Sequence, residues 1–287
     1  MEPSEQQHSR DELRVASKAL AIPMNAAKQR VVLAVGALLL GVVLTLATLF
    51  FLSQDSLPGQ RLYGFKTGVA EEAVAFTKRD AAAKNEYAVS RIERRLSELK
   101  ALAVDDGTST PEALATVAAL TDAHAALVLG TLESSASLSP EQKIDTLSTL
   151  SNVTRAQETL VDSAEELTPI RDATSGLEHT AAQALSASVE NVASSSAPDA
   201  VRAYLGSQLS IVSGDISKVA NGSRAQNITI QRISDANEAI ADGNMTDALT
   251  YILRARQAIA VDSYLFEAER GPVDGQPVEV MEIPEGS

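Results

Sequence analysis

Apolar positions recur every three or four residues through most of the chain. Tyr87, Ala88, Ile92, Leu96, Leu99 and Ala103 fall on one helical stripe, and Leu147, Leu150, Thr154, Val161 and Ala164 on another. Ile170, Ala173, Leu177, Ala181, Ala184 and Leu185 form a third, interrupted at Ser188. Val201, Leu205, Leu209, Val212, Ile216 and Val219 form a fourth. Each stripe is one face of an amphipathic helix, and strand-like alternation is confined to VEVMEI near the C-terminus. The pattern predicts an all-α protein.

The punctuation between stripes is equally regular. A short helix is expected from Arg61 to about Phe76, and a second from Asp80 to Val104, closed by Asp105-Asp106-Gly107. Thr110-Pro111-Glu112 supplies an N-cap, a proline at the first helical position and an acid in the first turn. Ser139-Pro140-Glu141-Gln142 repeats the device with glutamine at the capping-box position. Thr168-Pro169 and Ser196-Ala197-Pro198-Asp199 mark further starts, and Asn221-Gly222 and Asp242-Gly243 mark ends. About eight helices are therefore expected after residue 52.

One stretch breaks the amphipathic rule. Val31 to Leu52 is 22 residues without a charge. As a helix it spans about 33 Å, enough for a bilayer core of about 30 Å. A cleaved signal peptide has a shorter apolar core and a small-residue cleavage site, whereas this run exits through FFLSQDS. An uncleaved single pass is expected. Residues 1–30 carry Arg10, Arg14, Lys18, Lys28 and Arg30, against Arg61 and Lys66 between residues 53 and 70. That bias keeps the N-terminus in the cytoplasm and sends the rest outside. Within the span, Ala34, Ala37, Gly41, Thr45 and Thr48 share a stripe of small residues, the pattern that lets membrane helices self-associate.

The expected organisation is a cytoplasmic tail (1–30), a membrane helix (31–52), a membrane-proximal helical domain (53–105), a helical bundle or hairpins (106–270) and an acidic, disordered tail (271–287). The eight-residue linker Ser53–Gln60 reaches at most about 29 Å, so the first outer helix starts near the lipid headgroups. Leu62, Tyr63 and Phe65 there either plug the bundle end as core, the commoner role, or dip into the interface. Lys66 either snorkels toward phosphate or lies on the surface.

Composition narrows the chemistry. The chain has 287 residues, 46 of them alanine, with no cysteine or tryptophan and a formal charge of −14. Absence of cysteine removes disulfides, thiolate metal sites and cysteine nucleophiles, and three scattered histidines leave little room for zinc. A pI near 4.7 opposes nucleic-acid binding. No nucleophile elbow, phosphate loop or dinucleotide fingerprint is present, so neither an enzyme nor a cofactor is expected. His124, on a stripe with Val117, Leu120 and Val128, and Gln157, near Val153, Leu160 and Val161, are buried polar candidates. Both are expected to be satisfied core groups. His179 should face solvent. Asp242-Gly-Asn244-Met-Thr246 lacks the glycine and glutamate of a calcium loop and reads as a helix–helix turn.

Residues 55–103 resemble a bacterial membrane-anchored family of unknown function. Its signature is Leu-Pro-Gly-x-x-Leu-Tyr-x-x-Lys just after a single span, then an acidic helix and an Arg-Arg-Leu-x-Glu helix. Leu57, Pro58, Gly59, Leu62, Tyr63 and Lys66 match, as do Glu71 or Glu72, then Arg94, Arg95, Leu96 and Glu98; Gly64 stands where the family usually has proline. The resemblance implies a membrane-anchored helical domain and no known activity. Separately, ANEAIADGNMTDALTYILRARQAI is similar to one tetratricopeptide-type hairpin. Two functions fit: a surface-exposed scaffold binding an envelope or surface protein, or a signalling anchor relaying an outer event through residues 1–30. The lipid bilayer is a partner in both.

Overall fold

The computed structural model describes residues 26–104, 110–195 and 198–270, which are all-helical and contain no strand. They fall into two compact units that part between Asp55 and Ser56. Residues 1–25 of the expected N-terminal tail, the expected C-terminal tail with its VEVMEI segment and the Asp105-Asp106-Gly107 stop lie outside the described residues, while residues 26–30, expected in the tail, are helical.

The first unit is α1 (Ala26–Ser53), long and apolar enough to cross a membrane. Its side chains are exposed from Val31 to Thr48. On the small-residue stripe, the Thr45 and Thr48 hydroxyls donate to the carbonyls of Gly41 and Leu44, each at 2.9 Å. Their polarity is thus satisfied inside the helix, and the stripe made by Ala34, Ala37 and Gly41 presents only small apolar surface.

The second unit begins with a tight turn. Gln60 N–H donates to the Leu57 carbonyl at 3.0 Å, with Pro58 and Gly59 at the central positions and Gly59 at φ +89°. That is the type II pattern, in which proline sets the first central φ and glycine supplies the positive second. The chain then becomes helical as α2 (Tyr63–Phe65), passes through one wide π turn (Lys66–Ala70) and continues as α3 (Glu71–Thr77). After α4 (Ala81–Val104) come α5 (Pro111–Ser134), α6 (Pro140–Ser163) and α7 (Arg171–Ser195), then α8 (Pro198–Asp215), α9 (Arg224–Ala241) and α10 (Met245–Arg270).

Local capping explains most boundaries. The Thr110 hydroxyl accepts from Ala113 N–H at 3.2 Å, and Ser139 with Gln142 forms a reciprocal capping box. Between α9 and α10, Gly243 (φ +78°) donates to Ile240 and Asn244 N–H to Ala239, a Schellman pair, and the Asn244 side chain then caps α10 by accepting from Asp247 N–H. The segment read as a turn is therefore a C-cap fused to an N-cap.

Two expected boundaries move. Thr168-Pro169 does not start a helix: Pro169 lies within a 3₁₀ stretch, Glu165–Ile170, and α7 starts at Arg171. The i, i+3 repeat of that stretch turns both Leu167 and Ile170 into the core. The helix expected to run to Asn221-Gly222 stops at Asp215 and tightens into a 3₁₀ turn, Ile216–Lys218, before Val219 is buried. On α7, Ala173 is exposed and Thr174 takes the inward place, while Val189 and Val192 carry the stripe past Ser188.

Segments 53–105 and 106–270 do not build separate cores. One apolar cluster joins Ile92 and Leu96 of α4 to Val128 of α5 and Leu150 and Val153 of α6. A second joins Leu99 and Leu102 to Leu114, Val161 and Leu167. A third, from Val189 through Leu205 and Val212 to Leu249 and Ile252, fills the space among α7 to α10. At the end of α10, Lys100 Nζ donates to the carbonyls of Tyr264 and Leu265, and Tyr264 donates to Glu93 at 2.6 Å. The last helix is thereby fastened to α4. Helix α5 is also long and apolar enough to cross a membrane, but Leu114, Val117, Ala125 and Val128 are buried inside the bundle, which makes it a core helix.

Candidate functional site

The most unusual chemistry of the second unit is a buried ionic lattice beneath α2, the π turn and α3. Arg95 is completely buried, and Lys66, Glu71, Arg91 and Glu98 are nearly so. Their positions follow from helix geometry. Arg91, Arg95 and Glu98 sit at i, i+4 and i+7 on α4 and share one face. Tyr63, Lys66, Ala70 and Glu71 face them from the opposite segment, all buried.

Glu98 is surrounded on three sides. Lys66 Nζ lies 2.7 Å from Oε1, an ion contact whose angles fall short of a hydrogen bond; the Tyr63 hydroxyl donates to Oε2 at 2.8 Å, and Arg95 Nη1 lies 3.2 Å away. Glu71 pairs closely with Arg95 and lies 3.7 Å from both Arg91 and Arg94. Lys66 also donates to the Ser56 carbonyl at 3.1 Å, and Arg95 donates to the Tyr63 hydroxyl at 2.5 Å. At the rim, Arg91 holds the exposed Glu72 at 2.8 Å, and Arg91 and Arg94 stack over the Tyr87 ring at 5.0 and 5.2 Å. Tyr87 in turn donates to the Glu71 carbonyl at 2.9 Å.

Four cations (Lys66, Arg91, Arg94 and Arg95) thus meet three carboxylates (Glu71, Glu72 and Glu98), a local surplus of positive charge. His124 reaches this surplus from α5. Its Nε2 lies 3.2 Å from Arg91 Nη1; arginine only donates, so Nε2 accepts and the ring proton sits on Nδ1. Burial, reinforced by Arg91, Arg95 and Arg94, pushes His124 down to about 4, so the ring is neutral at pH 7. Burial raises the Tyr63 phenol well above its ordinary value, Arg95 opposes that rise and Glu98 adds to it, so the hydroxyl remains a hydrogen-bond donor.

The structure therefore unites most of the signature residues. Leu57, Pro58 and Gly59 make the turn that delivers Ser56 and Tyr63; Tyr63, Lys66, Arg95 and Glu98 form the lattice; Arg94 closes its edge, Leu96 enters the apolar core and Leu62 is half-buried. Lys66 is a correction: it is neither snorkelling nor on the surface, because its ammonium is needed by Glu98. Arg91 and Tyr87 escaped sequence reasoning as lattice members. The signal that was present is the i, i+4, i+7 run of charge on the helix face shared with buried Ala88 and Ile92.

The other candidates lie apart from one another. His124 belongs to the lattice, whereas Gln157 is buried on α6, and no hydrogen bond joins the two; the expectation that both are fully satisfied is corrected, since His124 Nδ1 and Gln157 Nε2 are buried without a hydrogen-bond partner among the described residues. His179 is exposed and pairs with Gln183 at 2.9 Å. A half-buried second network links Asp145 to Tyr204 and Arg256, and Arg256 to Gln208. Beside it runs an open cleft of about 490 Å³ bordered by Glu86, Glu93 and Asp145. Among the described residues, no three His, Asp or Glu side chains converge to hold a metal ion. Each carboxylate of the lattice is engaged by cations, so its capacity is to fix geometry, although Glu71 Oε2, Glu98 Oε1 and the Nε atoms of Arg91 and Arg95 make ion contacts or none and no hydrogen bond. No protein-family model, curated protein or solved structure matches the chain.

Proposed function

We propose that this chain is a membrane-anchored helical scaffold that presents an acidic bundle to a protein or basic component of the cell envelope. In this reading α1 crosses the bilayer once, with residues 1–30 in the cytoplasm and residues 56–270 outside. The observation that carries it is the pairing of a helix whose 22 residues from Val31 to Leu52 carry no charge, exposed from Val31 to Thr48, with a helical unit whose first segment is locked by buried ions. A scaffold must hold its own surfaces in a fixed arrangement, and a lattice of directional ion pairs restricts the first helical segment of the outer unit to one seating on α4. Neither an enzymatic activity nor a cofactor is part of it.

The charge of the bundle defines the kind of partner. Residues 53–287 hold 19 basic and 34 acidic groups, so recognition favours a basic surface, disfavours nucleic acid and weakens as salt screens exposed charges. The test is twofold. Protease applied to the outer face of intact membranes should remove the acidic bulk and spare residues 1–30 with the span; a protected C-terminus overturns the orientation. Cross-linking from the outer unit should then capture the same partner whether or not residues 9–22 are deleted. Loss of function on that deletion, with capture intact, transfers the weight to a signalling anchor.

A further inference from the structure

The segment Tyr63–Thr77 has an inner face committed to the lattice and an outer face that nothing in its own unit covers. On the outer face Val69 is 50% exposed and Phe76 is 91% exposed, with Ala73 exposed between them and Phe65 half-exposed before them. The steps of four, four and three keep these residues on one stripe. The other exposed apolar side chains of the second unit, such as Leu127 and Ile211, are scattered over other helices, a normal surface feature. The stripe cannot turn inward. Rotating the segment to bury Phe76 would break Lys66–Glu98, Tyr63–Glu98 and Arg95–Glu71 at once.

We propose that this outer face docks on the lipid surface, with the segment lying along the headgroup boundary. The inference rests on the reading of α1 as the membrane anchor. Three observations select lipid as the occupant. Only nine residues separate Ser53 from Tyr63, and part of that length is folded into the Leu57–Gln60 turn, so an anchored chain keeps the stripe within reach of the bilayer. Basic groups flank the stripe at both ends: Arg61 before it, Lys78 and Arg79 after it. The adjacent acids are already occupied, since Glu72 is held by Arg91 at 2.8 Å and Asp80 caps α4 by accepting from Ala83 N–H at 2.7 Å.

The third observation is the distribution of charge. Residues 53–105 hold nine basic and eight acidic groups, net +1, whereas residues 106–287 hold ten basic and 26 acidic groups, net −16. An anionic leaflet repels the second stretch and tolerates the first. The bundle is therefore turned away from the bilayer by the same field that admits the flanking cations of the stripe. Of the residues that sequence alone offered to the interface, Tyr63 is in the lattice and Leu62 is half-buried, Phe65 stays on the stripe, and Phe76 joins it.

The chain has no cysteine, so single labels can be placed on the full-length protein. Nitroxides at Phe76→Cys, Val69→Cys, Ile211→Cys and Leu44→Cys, each in the full chain inserted in phosphatidylcholine–phosphatidylglycerol vesicles, report collision with oxygen and with a water-soluble nickel chelate. Circular dichroism checks that each variant keeps the parent's helicity. Leu44 should read as lipid and Ile211 as water. Val69 and Phe76 should show an oxygen-to-nickel ratio several-fold above Ile211, falling when phosphatidylglycerol is left out. If Val69 and Phe76 match Ile211 while Leu44 reads as lipid, the docking is wrong and the anchor stands. Shielding of Phe76 from both probes also overturns the docking, and spin–spin broadening then identifies a second copy as the cover. If Leu44 itself reads as water, the anchor reading fails and the docking falls with it.

Discussion

The interior beneath Tyr63–Thr77 and the interior among α8, α9 and α10 are both buried but differently filled. The first holds Arg95, Glu71, Glu98 and Lys66; the second holds Val201, Leu205, Val212, Ala236, Leu249 and Ile252. Apolar side chains of about the right volume can repack, so the α8–α10 core fixes that the helices meet more than how they meet. Ion pairs are directional, and each charge removed from water must find its partner or its desolvation goes uncompensated. The lattice therefore contributes little net stability but allows one seating of the first helical segment. The ions sit where the second unit begins, and they fix how its first helical segment seats on α4.

The sharpest way to break this contrast is Arg95→Met. It keeps an unbranched apolar stem but takes from Glu71 its closest cation and from Glu98 one of its two, and should cost about 3 kcal/mol in urea unfolding of the full chain in detergent. Adding Glu71→Leu, Glu98→Leu and Lys66→Met should return much of that loss, because buried charges of both signs then go together while Arg91 keeps Glu72. If Arg95→Met alone costs under about 1 kcal/mol, the lattice is not a closed ionic unit.

His124 gives the next largest effect, through pH. Its value in the fold is depressed to about 4 from an ordinary 6.5, by burial and by Arg91, Arg95 and Arg94; Glu72 is the acid that Arg91 holds on its other side. The neutral ring's contribution is fully present above pH 6.5, where folded and unfolded chains are both unprotonated. It is lost as pH falls from 6.5 toward 4, because only the unfolded chain takes up the proton. The loss is at most about 3 kcal/mol. His124→Gln should remove that part of the acid sensitivity, so the parent-minus-variant stability difference should narrow or reverse between pH 7 and pH 4. An unchanged difference would mean that the ring is not held neutral.

In the apolar region, Ile252→Val should cost only about 1 kcal/mol, since the site loses one methylene and its neighbours can close part of the gap. At the surface, Arg202→Ala should move stability by less than about 0.5 kcal/mol, because its 3.5 Å pairing with Asp199 is fully in solvent. A cost at Arg202 equal to that at Arg95 would erase the distinction between lattice and surface ions.

What the sequence disclosed follows the range of each interaction. Thr110, Ser139 and Gly243 act within a few residues, so their caps could be read directly, whereas Asn244 was read only as part of a turn. Asp215 as a helix end could not, because the 3₁₀ turn that follows serves Val219, which is packed against distant helices. The same holds for Pro169, where Leu167 and Ile170 must both reach the α5–α6 core. The resemblance flagged Tyr63, Lys66, Arg95 and Glu98 together, but their burial was hidden: charged residues usually face water, and only the tertiary arrangement reveals that Arg91, Arg95 and Glu98 face Glu71 and Lys66. Phe76 was hidden in the opposite sense, since an apolar residue at a helix end reads as core.

The most direct test is amide hydrogen exchange on the full chain, peptide by peptide, with the parent beside Arg95→Met. If the ions alone hold the first helical segment in its seat, protection over residues 63–77 should fall about tenfold or more, while α9 and α10 keep theirs. Unchanged protection over residues 63–77, or an even loss across all helices, would contradict that role.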